Sequence, residues 1–399
     1  MNYPLHNTLV LDISRVIAGP ACSMHLADMG AEVIRIEPPE GDKTRLFLPY
    51  SERILDGRLY MPFNRNKKCL GLDIFSGKGK EMFLDLVKKA DVLVQNFRPG
   101  ILEEAGLDYP DLKKINPRLI YCSISGYSPK GDYANRAGFD FAIQAESGLM
   151  SINGEPNGDP LKIAIPAIDL QASLYAAMAV SAALFAREQE GHGRLIEVTL
   201  FGVAVSLLAE RAWGYLLSGE IPLRIGNRGL IKTVVSDYFP TSDGGLVFTM
   251  SSQKMWERLC EIKEFSYLKE DPRFADIQKI QENIEDLLKE IKTIFLRKPT
   301  REWVRQLALE KGLVCSPVRK IDEVFNDPEI EKLRMVREVV HPLYGPMKIL
   351  GIPFEFPETP LEVRLPPPAK GGHTDEILRN YFHLTDQEIL QLRTQGIIG

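Results

Sequence analysis

The alternation of strand-like and helix-like segments over the first 130 residues constrains the fold most strongly. Residues 9–13 (LVLDI) form a short apolar run typical of a buried strand, and residues 20–29 form a helical stretch before Gly30. The same order continues with strands at 32–37, 69–74, 92–94 and 119–123, and with helices at 78–89 and near Ile101. Strands that alternate with helices predict parallel βαβ units with right-handed crossovers, and therefore an α/β fold.

The rest of the chain changes character twice. A helix, a strand and a second helix are predicted at 170–189, 195–199 and 201–217. Residues 226–325 then predict a smaller unit with amphipathic helices, such as 280–295, and a hairpin around the turn Asp243-Gly244-Gly245. From His341 onward proline and glycine become frequent, which favours an extended arm before two final helices at 373–382 and 386–393.

The charge and composition of the chain argue against several kinds of partner. Of its 399 residues, 49 are Lys or Arg and 54 are Asp or Glu, so the net charge is −5. Binding to nucleic acid or to an anionic membrane usually needs a strongly basic face, and we expect neither partner. The longest apolar window, residues 174–186, is shorter than the roughly 20 residues of a membrane span and predicts a buried helix.

The N-terminal segment and the cysteines predict a cytoplasmic protein. Residues 1–8 contain no basic region of the kind that begins a signal peptide, so we expect none. The five cysteines are an odd number, are widely spaced and form no C-x-x-C pair. This usage is typical of reduced thiols in apolar surroundings.

The turn after the first predicted strand disfavours NAD or FAD as a cofactor. Residues 15–20 (RVIAGP) contain one glycine, Gly19, where the dinucleotide fingerprint needs three. A different nucleotide at this edge of the sheet stays open. The six histidines are scattered, no Cys/His cluster has zinc spacing and no G-x-S-x-G elbow is present, so we also expect no metal site.

The sequence around Asp169 supports two interpretations of this residue. It precedes a predicted helix, where Asp is a preferred N-cap, and this purely structural role is common. Alternatively, the helix dipole and free N–H groups keep its carboxylate ionised, and an ionised carboxylate can attack an activated acyl carbon. The small residues around it leave room either for a substrate or for close helix packing, and the pattern does not separate the two.

A set of short motifs spread along the chain resembles one known family. The motifs include VLD (10–12) with AGP (18–20), LADMGAEVI (26–34), IEP (36–38), NRNK (64–67), ADVLV (90–94), NFRPG (96–100), SGY (125–127), FD (139–140), SGLM (147–150) and HTDEIL (373–378). In this combination the chain resembles the family III CoA-transferases, the CaiB/BaiF group that includes formyl-CoA transferases. The similarity runs from Leu9 to the C-terminus.

The resemblance implies that Asp169 is the catalytic nucleophile and that coenzyme A, as acyl-CoA, is a substrate. Asp169 would form a mixed anhydride with the acyl group and then an aspartyl-CoA thioester, and a carboxylic acid acceptor would reverse these steps. Gln144 and the loop 126–138 are the candidate oxyanion donors. The matching positions for CoA contact are Val16, Ile17 and Ala18 by their backbone, Leu72 beside the adenine, Asn96 and Phe97 beside the nucleotide, and Phe139.

This chain departs from the family at positions where other members carry cations for the CoA phosphates. Here those positions are Phe75, Glu103-Glu104 and Ala137. Arg98, Arg136 and either Arg45 or Lys67 are the candidates that compensate. The alternative for Arg98 and Arg136 is an ordinary solvated charge.

Two other functions are weighed against CoA transfer. The related α-methylacyl-CoA racemases are expected to use a His after the loop glycine, paired with an Asp, and this chain has Phe139 there. Phe cannot exchange a proton, so a two-base racemisation lacks one partner. A non-catalytic CoA-binding homologue is the second alternative, and the retained Asp169 argues against it.

The resemblance also implies an architecture and an assembly. We expect a Rossmann-like large α/β domain from both chain ends, a smaller α+β domain, and an interlocked homodimer. The predicted boundaries are 1–203 (large domain), 204–225 (linker), 226–325 (small domain), 326–350 (linker) and 351–399 (return to the large domain).

The acceptor acid is predicted only by analogy, as a small dicarboxylate such as succinate. Arg224, Arg228 and Lys232 are either carboxylate ligands or solvated loop charges. The long glycine run that forms an active-site lid in some relatives is reduced here to Gly244-Gly245.

Overall fold

A computed structural model describes residues 3–51, 53–229 and 235–399 of the chain. Its first half contains strands β1 Leu9–Asp12, β2 Glu32–Glu37, β3 Lys67–Gly71, β4 Val92–Gln95, β5 Ile120–Ser125 and β6 Leu195–Thr199. The helices in the same half are α1 Ala18–Asp28, α2 Gly77–Val87, α3 Ile101–Glu104, α4 Tyr109–Ile115, α5 Asp140–Glu146, α6 Leu149–Ile152, α7 Ala167–Glu190, α8 Leu200–Leu207 and α9 Ala209–Ser218.

The second half contains strands β7 Val235–Pro240, β8 Gly245–Met250, β9 Val314–Pro317, β10 Val336–His341 and β11 Gly345–Leu350. Its helices are α10 Gln253–Cys260, α11 Ile277–Glu282, α12 Ile284–Phe295, α13 Thr300–Val304, α14 Ile321–Phe325, α15 Pro328–Lys332, α16 Thr374–Phe382 and α17 Asp386–Thr394. The helices α4, α5, α6 and α15 lie outside every predicted helix and outside the helical unit predicted at 226–325. In α4, the cap that starts the helix is the Asp108 side chain, which accepts the Asp111 N–H.

The main sheet confirms the α/β fold predicted from the alternating pattern. Among the described residues, six strands pair in the order β3-β2-β1-β4-β5-β6, and every pairing is parallel. This is the strand order of doubly wound nucleotide-binding folds, in which the direction of winding reverses between β1 and β4. Ligands of such sheets bind outside the carboxyl ends of the strands at that reversal, so the topology selects one edge of the sheet.

The described residues form two compact units. Unit 1 contains Met1–Leu149, Lys162–Ala212 and Pro328–Gly399, and unit 2 contains Met150–Leu161 and Trp213–Asp327. Both chain ends belong to unit 1, whose core includes Leu11, Phe83 and Leu378. Unit 2 holds the antiparallel sheet β7-β8-β9 and a separate core around Phe295 and Trp303. The predicted domain boundaries stay a prediction, because compactness does not show independent folding.

The structure corrects three predicted elements. The single helix predicted at 201–217 is two helices, α8 and α9, bent by 78° where Ala209 has a φ of +36°, outside the right-handed helical range. The predicted helix 280–295 is interrupted at Asn283, whose amide donates to the Lys279 carbonyl. The predicted linkers 204–225 and 326–350 contain α9 and the antiparallel pair β10-β11, and β11 includes the first part of the proline-rich arm.

The long helix α7 was predicted as buried, but only one of its faces is. Ala172, Ala176 and Val180 are buried on the side that packs against α1. The opposite face carries an exposed stripe that includes Leu174, Met178 and Phe185. By length and composition alone this helix would be apolar enough to cross a membrane. Its uneven burial instead identifies a helix with one buried and one exposed apolar face.

Candidate active site

A cavity of about 380 Å³ opens at the carboxyl ends of β1, β4 and β5, the edge that the topology selects. It is lined by Arg15, Val16, Ile17, Ala18, Asn96, Phe97, Arg98, Pro99, Ile101, Ile124, Ser125, Gly126, Tyr127, Ala134, Arg136, Ala137, Gly138, Phe139, Asp169 and Leu200. The structure therefore brings together the residues predicted for nucleophilic attack or CoA contact, except Leu72 and the alternative phosphate ligands Arg45 and Lys67. These residues come from four separate stretches of the chain, so the fold makes them neighbours.

Asp169 lies in the first turn of α7 and not at its N-cap, so the N-cap interpretation is wrong. The N-cap position is Pro166, which has no side-chain hydrogen bond to offer. The capping role falls to Asp140, whose Oδ2 accepts the Ile168 N–H at 2.7 Å and the Asp169 N–H at 3.2 Å. The Asp169 side chain therefore does not cap α7, and it lines the cavity.

The surroundings of Asp169 raise its pKa from the ordinary value of 3.8 to about 7. Burial is the larger cause and the negative charge of the neighbouring Asp140 adds to it. The expectation that the helix dipole and free N–H groups hold this carboxylate ionised is therefore wrong in direction. Two of the first-turn N–H groups already donate to Asp140. Perturbed carboxyl groups of this kind, half-buried in a cleft, are concentrated at functional sites.

Gln144 positions Asp140 and is unsuited to be an oxyanion donor. Its Nε2 donates to Asp140 Oδ1 at 2.6 Å, and its Oε1 accepts the Ile163 N–H at 2.8 Å. The side chain is buried, and Gln144 does not line the cavity. Its Nε2 donates to the Asp140 carboxylate, which caps the start of α7. The prediction that Gln144 is an oxyanion donor is therefore wrong.

The loop 126–138 lines the cavity at both of its ends, and its two terminal glycines lie against each other. A Cβ atom added to Gly126 would come within 2.6 Å of the Gly138 Cα, a separation that real side chains do not tolerate. The close approach of these two backbones places the next residue, Phe139, at the N-cap of α5 with its side chain exposed. Phe139 thereby lines the same cavity as Asp169.

Two of the predicted cations line the cavity. Arg136 pairs with Glu146, and its guanidinium carbon lies 4.5 Å from the ring centroid of Tyr133. Tyr127 donates a hydrogen bond to the same Glu146 at 2.6 Å, so Arg136 is held within a polar and aromatic cluster. Arg98 is exposed, and its side chain forms no ion pair with any described residue. Of the two, Arg98 has the more available positive charge.

Arg45 and Lys67, the other proposed compensating cations, are wrong as phosphate ligands because both are buried in ion pairs. Arg45 pairs with Glu37 at 2.8 Å and with Asp56 at 3.2 Å. The Lys67 Nζ atom lies 3.0 Å from Asp12 Oδ2 and is fully buried. Neither residue lines the large cavity.

Leu72 lies outside the large cavity. Its side chain is buried in the core of unit 1, and it lines a smaller cavity of about 40 Å³ together with Phe75, Phe97 and Arg35. The rings of Phe75 and Phe97 meet edge to face with centroids 6.0 Å apart, and Phe97 lines both cavities. The two cavities are therefore neighbours across one aromatic side chain.

The predicted carboxylate ligands near the small unit are engaged elsewhere. Arg224 donates to the backbone carbonyls of Glu155 and Gly158, and Arg228 pairs with Glu285. Lys232 lies outside the described residues. Within the described ranges, no group of three or more His, Cys, Asp or Glu side chains is arranged to hold a metal ion. All five cysteines are buried and unpaired.

Asp140 is the functional residue whose role the motifs did not reveal. It appears in the motif FD at 139–140, but its contact with α7 joins positions 28 and 29 residues apart. A weak signal was present, because α7 begins after Pro166 with no capping side chain of its own. A helix start without a local cap indicates that another segment must supply one.

Strand order and cavity position define a doubly wound α/β protein with a cavity at the winding reversal, lined in part by a half-buried carboxyl group. Comparison with known families refines this class. The sequence profile of CoA-transferase family III matches residues 5–374, and the chain belongs to that family.

Individual relatives agree with this assignment. The chain is 33% identical to human succinyl-CoA:glutarate CoA-transferase over 397 residues, covering 99% of this chain and 90% of the relative. It is 35% identical to succinate–glutarate CoA-transferase of Agrobacterium fabrum, covering 94% and 95% of the two chains. The crystal structure of a CAIB/BAIF family protein from Brucella suis superposes with a TM-score of 0.87 at 31% identity, covering 96% and 100%.

Proposed function

We propose that this protein transfers CoA from an acyl-CoA donor to a carboxylic acid acceptor, with Asp169 as the nucleophile. The observation that carries the proposal is the position of Asp169, whose carboxyl group pairs with no described residue and lines the cavity at the carboxyl edge of a doubly wound sheet. Membership in CoA-transferase family III supports the same reaction. Ligands of such sheets bind beside the residues that follow the central strands. The residues that follow β1 and β4 line the cavity and are the proposed CoA contacts: Val16, Ile17, Ala18, Asn96, Phe97 and Arg98.

The proposed reaction consists of four acyl substitutions. Ionised Asp169 attacks the thioester carbon, the C–S bond breaks, and a mixed anhydride and CoA thiolate result. The thiolate then attacks the Asp169 carbonyl carbon, which releases the donor acid as carboxylate and forms the aspartyl-CoA thioester. The acceptor carboxylate attacks this thioester and expels the thiolate, and the thiolate attacks the acceptor acyl carbon to release Asp169. No proton is needed in the balance, so the ionised form of Asp169 is the reactive one.

The relatives indicate the kind of acid. Both named relatives are described as acting between succinate and glutarate, which are small dicarboxylic acids. We therefore propose small dicarboxylates as donor and acceptor acids. Arg98 is the proposed contact for the CoA phosphates, because its charge is exposed at the cavity and unpaired among the described residues.

A CoA-exchange screen tests the proposed reaction. Acetyl-CoA and succinyl-CoA are each incubated with the protein and a panel of mono- and dicarboxylic acids, and new thioesters are detected by mass spectrometry. We expect transfer from succinyl-CoA to at least one dicarboxylate. No transfer to any acid, together with racemisation of a 2-methylacyl-CoA, would overturn the proposal and would show that Phe139 does not exclude racemase chemistry.

The pH dependence of transfer is the second prediction. Because burial and Asp140 raise the pKa of Asp169 to about 7, we expect kcat/KM for acyl-CoA to rise with pH around 7 and to level off above it. Asp140→Asn keeps an oxygen that can accept the α7 N–H groups but removes the neighbouring charge. It should move this rise to lower pH by about one unit. The control is Asp111→Asn, which alters an exposed carboxylate paired with Lys114. An unshifted profile for Asp140→Asn would contradict the electrostatic role of Asp140.

We propose that the protein is a homodimer, interlocked as the family resemblance implies. The support is the exposed apolar stripe on α7 that includes Leu174, Met178 and Phe185, because contiguous exposed apolar surface is typical of protein–protein interfaces. We expect light scattering to give twice the mass of one chain, and Met178→Asp combined with Phe185→Asp to give the mass of one. Leu390→Asp, which changes an exposed leucine on α17, should leave the dimer intact. A single-chain mass for the unaltered protein would overturn the proposal.

A further inference from the structure

The loop between β1 and α1, residues 13–17, holds a backbone conformation that needs support. Val16 has a φ of +66°, in the left-handed region that β-branched residues rarely occupy. Strained residues of this kind persist where their surroundings over-determine them, and they cluster at binding sites. Val16 lines the large cavity, and so do Arg15, Ile17 and Ala18.

Asn96 holds this loop by both polar atoms of its side chain. The Arg15 N–H donates to Asn96 Oδ1 at 2.7 Å, and Asn96 Nδ2 donates to the Arg15 carbonyl at 2.7 Å. This two-way amide pairing fixes the backbone of the residue directly before Val16. Asn96 follows β4, so the pairing ties together the two strands between which the winding reverses.

Ser14, the residue before Arg15, is held by hydrogen bonds to Asp12 and Arg35. The Ser14 N–H donates to Asp12 Oδ1 at 2.9 Å, and the Arg35 guanidinium donates to the Ser14 carbonyl. Both of these partners are buried. The Arg15 side chain also stacks on Phe97, with its guanidinium carbon 4.7 Å from the ring centroid. The conformation of Val16 is therefore imposed through the two residues that precede it.

We propose that Asn96 is a positioning residue: it holds Val16 in the left-handed conformation and so presents the Val16–Ala18 backbone to the acyl-CoA. This inference rests on the proposed function. The predicted contact of Asn96 with the nucleotide stays a prediction, since Asn96 lines the cavity; the role proposed here is a second one, because its amide oxygen and nitrogen both bind the Arg15 backbone. In this second role its effect on CoA passes through Val16.

A double-mutant cycle separates this indirect role from direct contact. Asn96→Ala, Val16→Gly and the double variant are compared, because glycine adopts a φ of +66° without a Cβ penalty. We expect Asn96→Ala to raise the calorimetric Kd for CoA about tenfold or more. In the Val16→Gly background Asn96→Ala should raise the Kd for CoA less than about threefold, because glycine adopts the loop conformation without the Asn96–Arg15 hydrogen bonds. An equal loss in both backgrounds, or an unchanged Kd for Asn96→Ala, would overturn the proposal.

A matched variant and a ligand-free readout complete the test. Asn116→Ala removes another side-chain amide that binds the backbone, in this case by donating to the carbonyls of Val87 and Ala90, and Asn116 lies outside the cavity. It should lower thermal stability without changing the Kd. Hydrogen exchange of the 13–18 peptide should accelerate in Asn96→Ala and not in Asn116→Ala, and equal exchange would again overturn the inference. If the unaltered protein does not bind CoA, the proposed function fails, while the exchange result still decides whether Asn96 holds the loop.

Discussion

Asp169→Asn is expected to abolish CoA transfer, with a fall in kcat of about 10³-fold or more. Asparagine has nearly the same shape, but its amide cannot form the mixed anhydride with which the proposed reaction begins. The acyl-CoA should still bind, because the residues that line the rest of the cavity are unchanged. We therefore expect the Kd for CoA to stay within about threefold of the original, while the exchange assay detects no product.

The pKa of Asp169 supplies a second signature of this substitution. In the folded state its pKa is raised to about 7 from an ordinary value of 3.8, so ionisation disfavours folding as pH rises from about 4 to 7. Asparagine carries no charge, and Asp169→Asn should therefore be more stable than the original protein above pH 7, by about 4 kcal/mol. The difference should shrink towards pH 4. Thermal unfolding at pH 4.5 and pH 8 measures it.

The control for both effects is Asp85→Asn, which changes an exposed carboxylate on α2 that pairs with Lys88. It should alter neither transfer nor the pH dependence of stability. Full transferase activity in Asp169→Asn would show that another group is the nucleophile. Lost activity with unchanged stability at both pH values would leave the nucleophile in place but contradict its raised pKa.

Local patterns predicted the framework of this protein because the required information is local. A short apolar run such as residues 9–13 indicates a buried strand, and Gly191, with a φ of +76°, ends α7 where the sequence indicated. The parallel pairing follows from the alternation of these elements. Asp169 itself has an ambiguous pattern, and its predicted role came from the family resemblance.

Long-range pairings could not be predicted in the same way. Arg45 and Lys67 look like ordinary cations in the sequence, yet the fold buries both against carboxylates that lie 8 and 55 residues away. The contact of Asp140 with the start of α7 is of the same kind. Each depends on which elements become neighbours, and this is set by the packing of the whole unit and not by spacing along the chain.

Lys67→Met is expected to lower the free energy of unfolding by about 3–5 kcal/mol, because it removes one partner of a buried ion pair. The Lys67 ammonium donates to Asp12 Oδ2 at 3.0 Å, to Asn64 Oδ1 at 2.9 Å and to the Pro20 carbonyl at 2.7 Å. Methionine fills a similar volume but leaves three buried acceptors without this donor. The charge of Asp12 then keeps only Arg35 as a cationic partner among the described residues, at 3.1 Å.

The ion pairs of Asp12 with Lys67 and Arg35 should also affect how the free energy of unfolding changes at acidic pH. Burial alone would raise the pKa of Asp12, but Lys67 and Arg35 outweigh it and hold that pKa far below 3.8. A carboxyl group with a lowered pKa stabilises the folded state above its unfolded value, and this contribution is lost as pH falls below about 4. Lys67→Met should weaken it, so the variant should lose less stability than the original protein between pH 5 and pH 3.

The neighbouring residue on β3 provides the matched control. Lys68 pairs with Glu32 at 3.0 Å and Glu376 at 2.8 Å, but these groups are partly exposed to solvent. Lys68→Met should therefore cost less than about 1 kcal/mol. Urea unfolding of the three proteins at pH 7 measures both differences. Equal losses of stability for the two variants would show that burial does not strengthen the Asp12–Lys67 ion pair. The hydrogen bond from the Ser14 N–H to Asp12, which supports the β1–α1 loop, would then not depend on that ion pair.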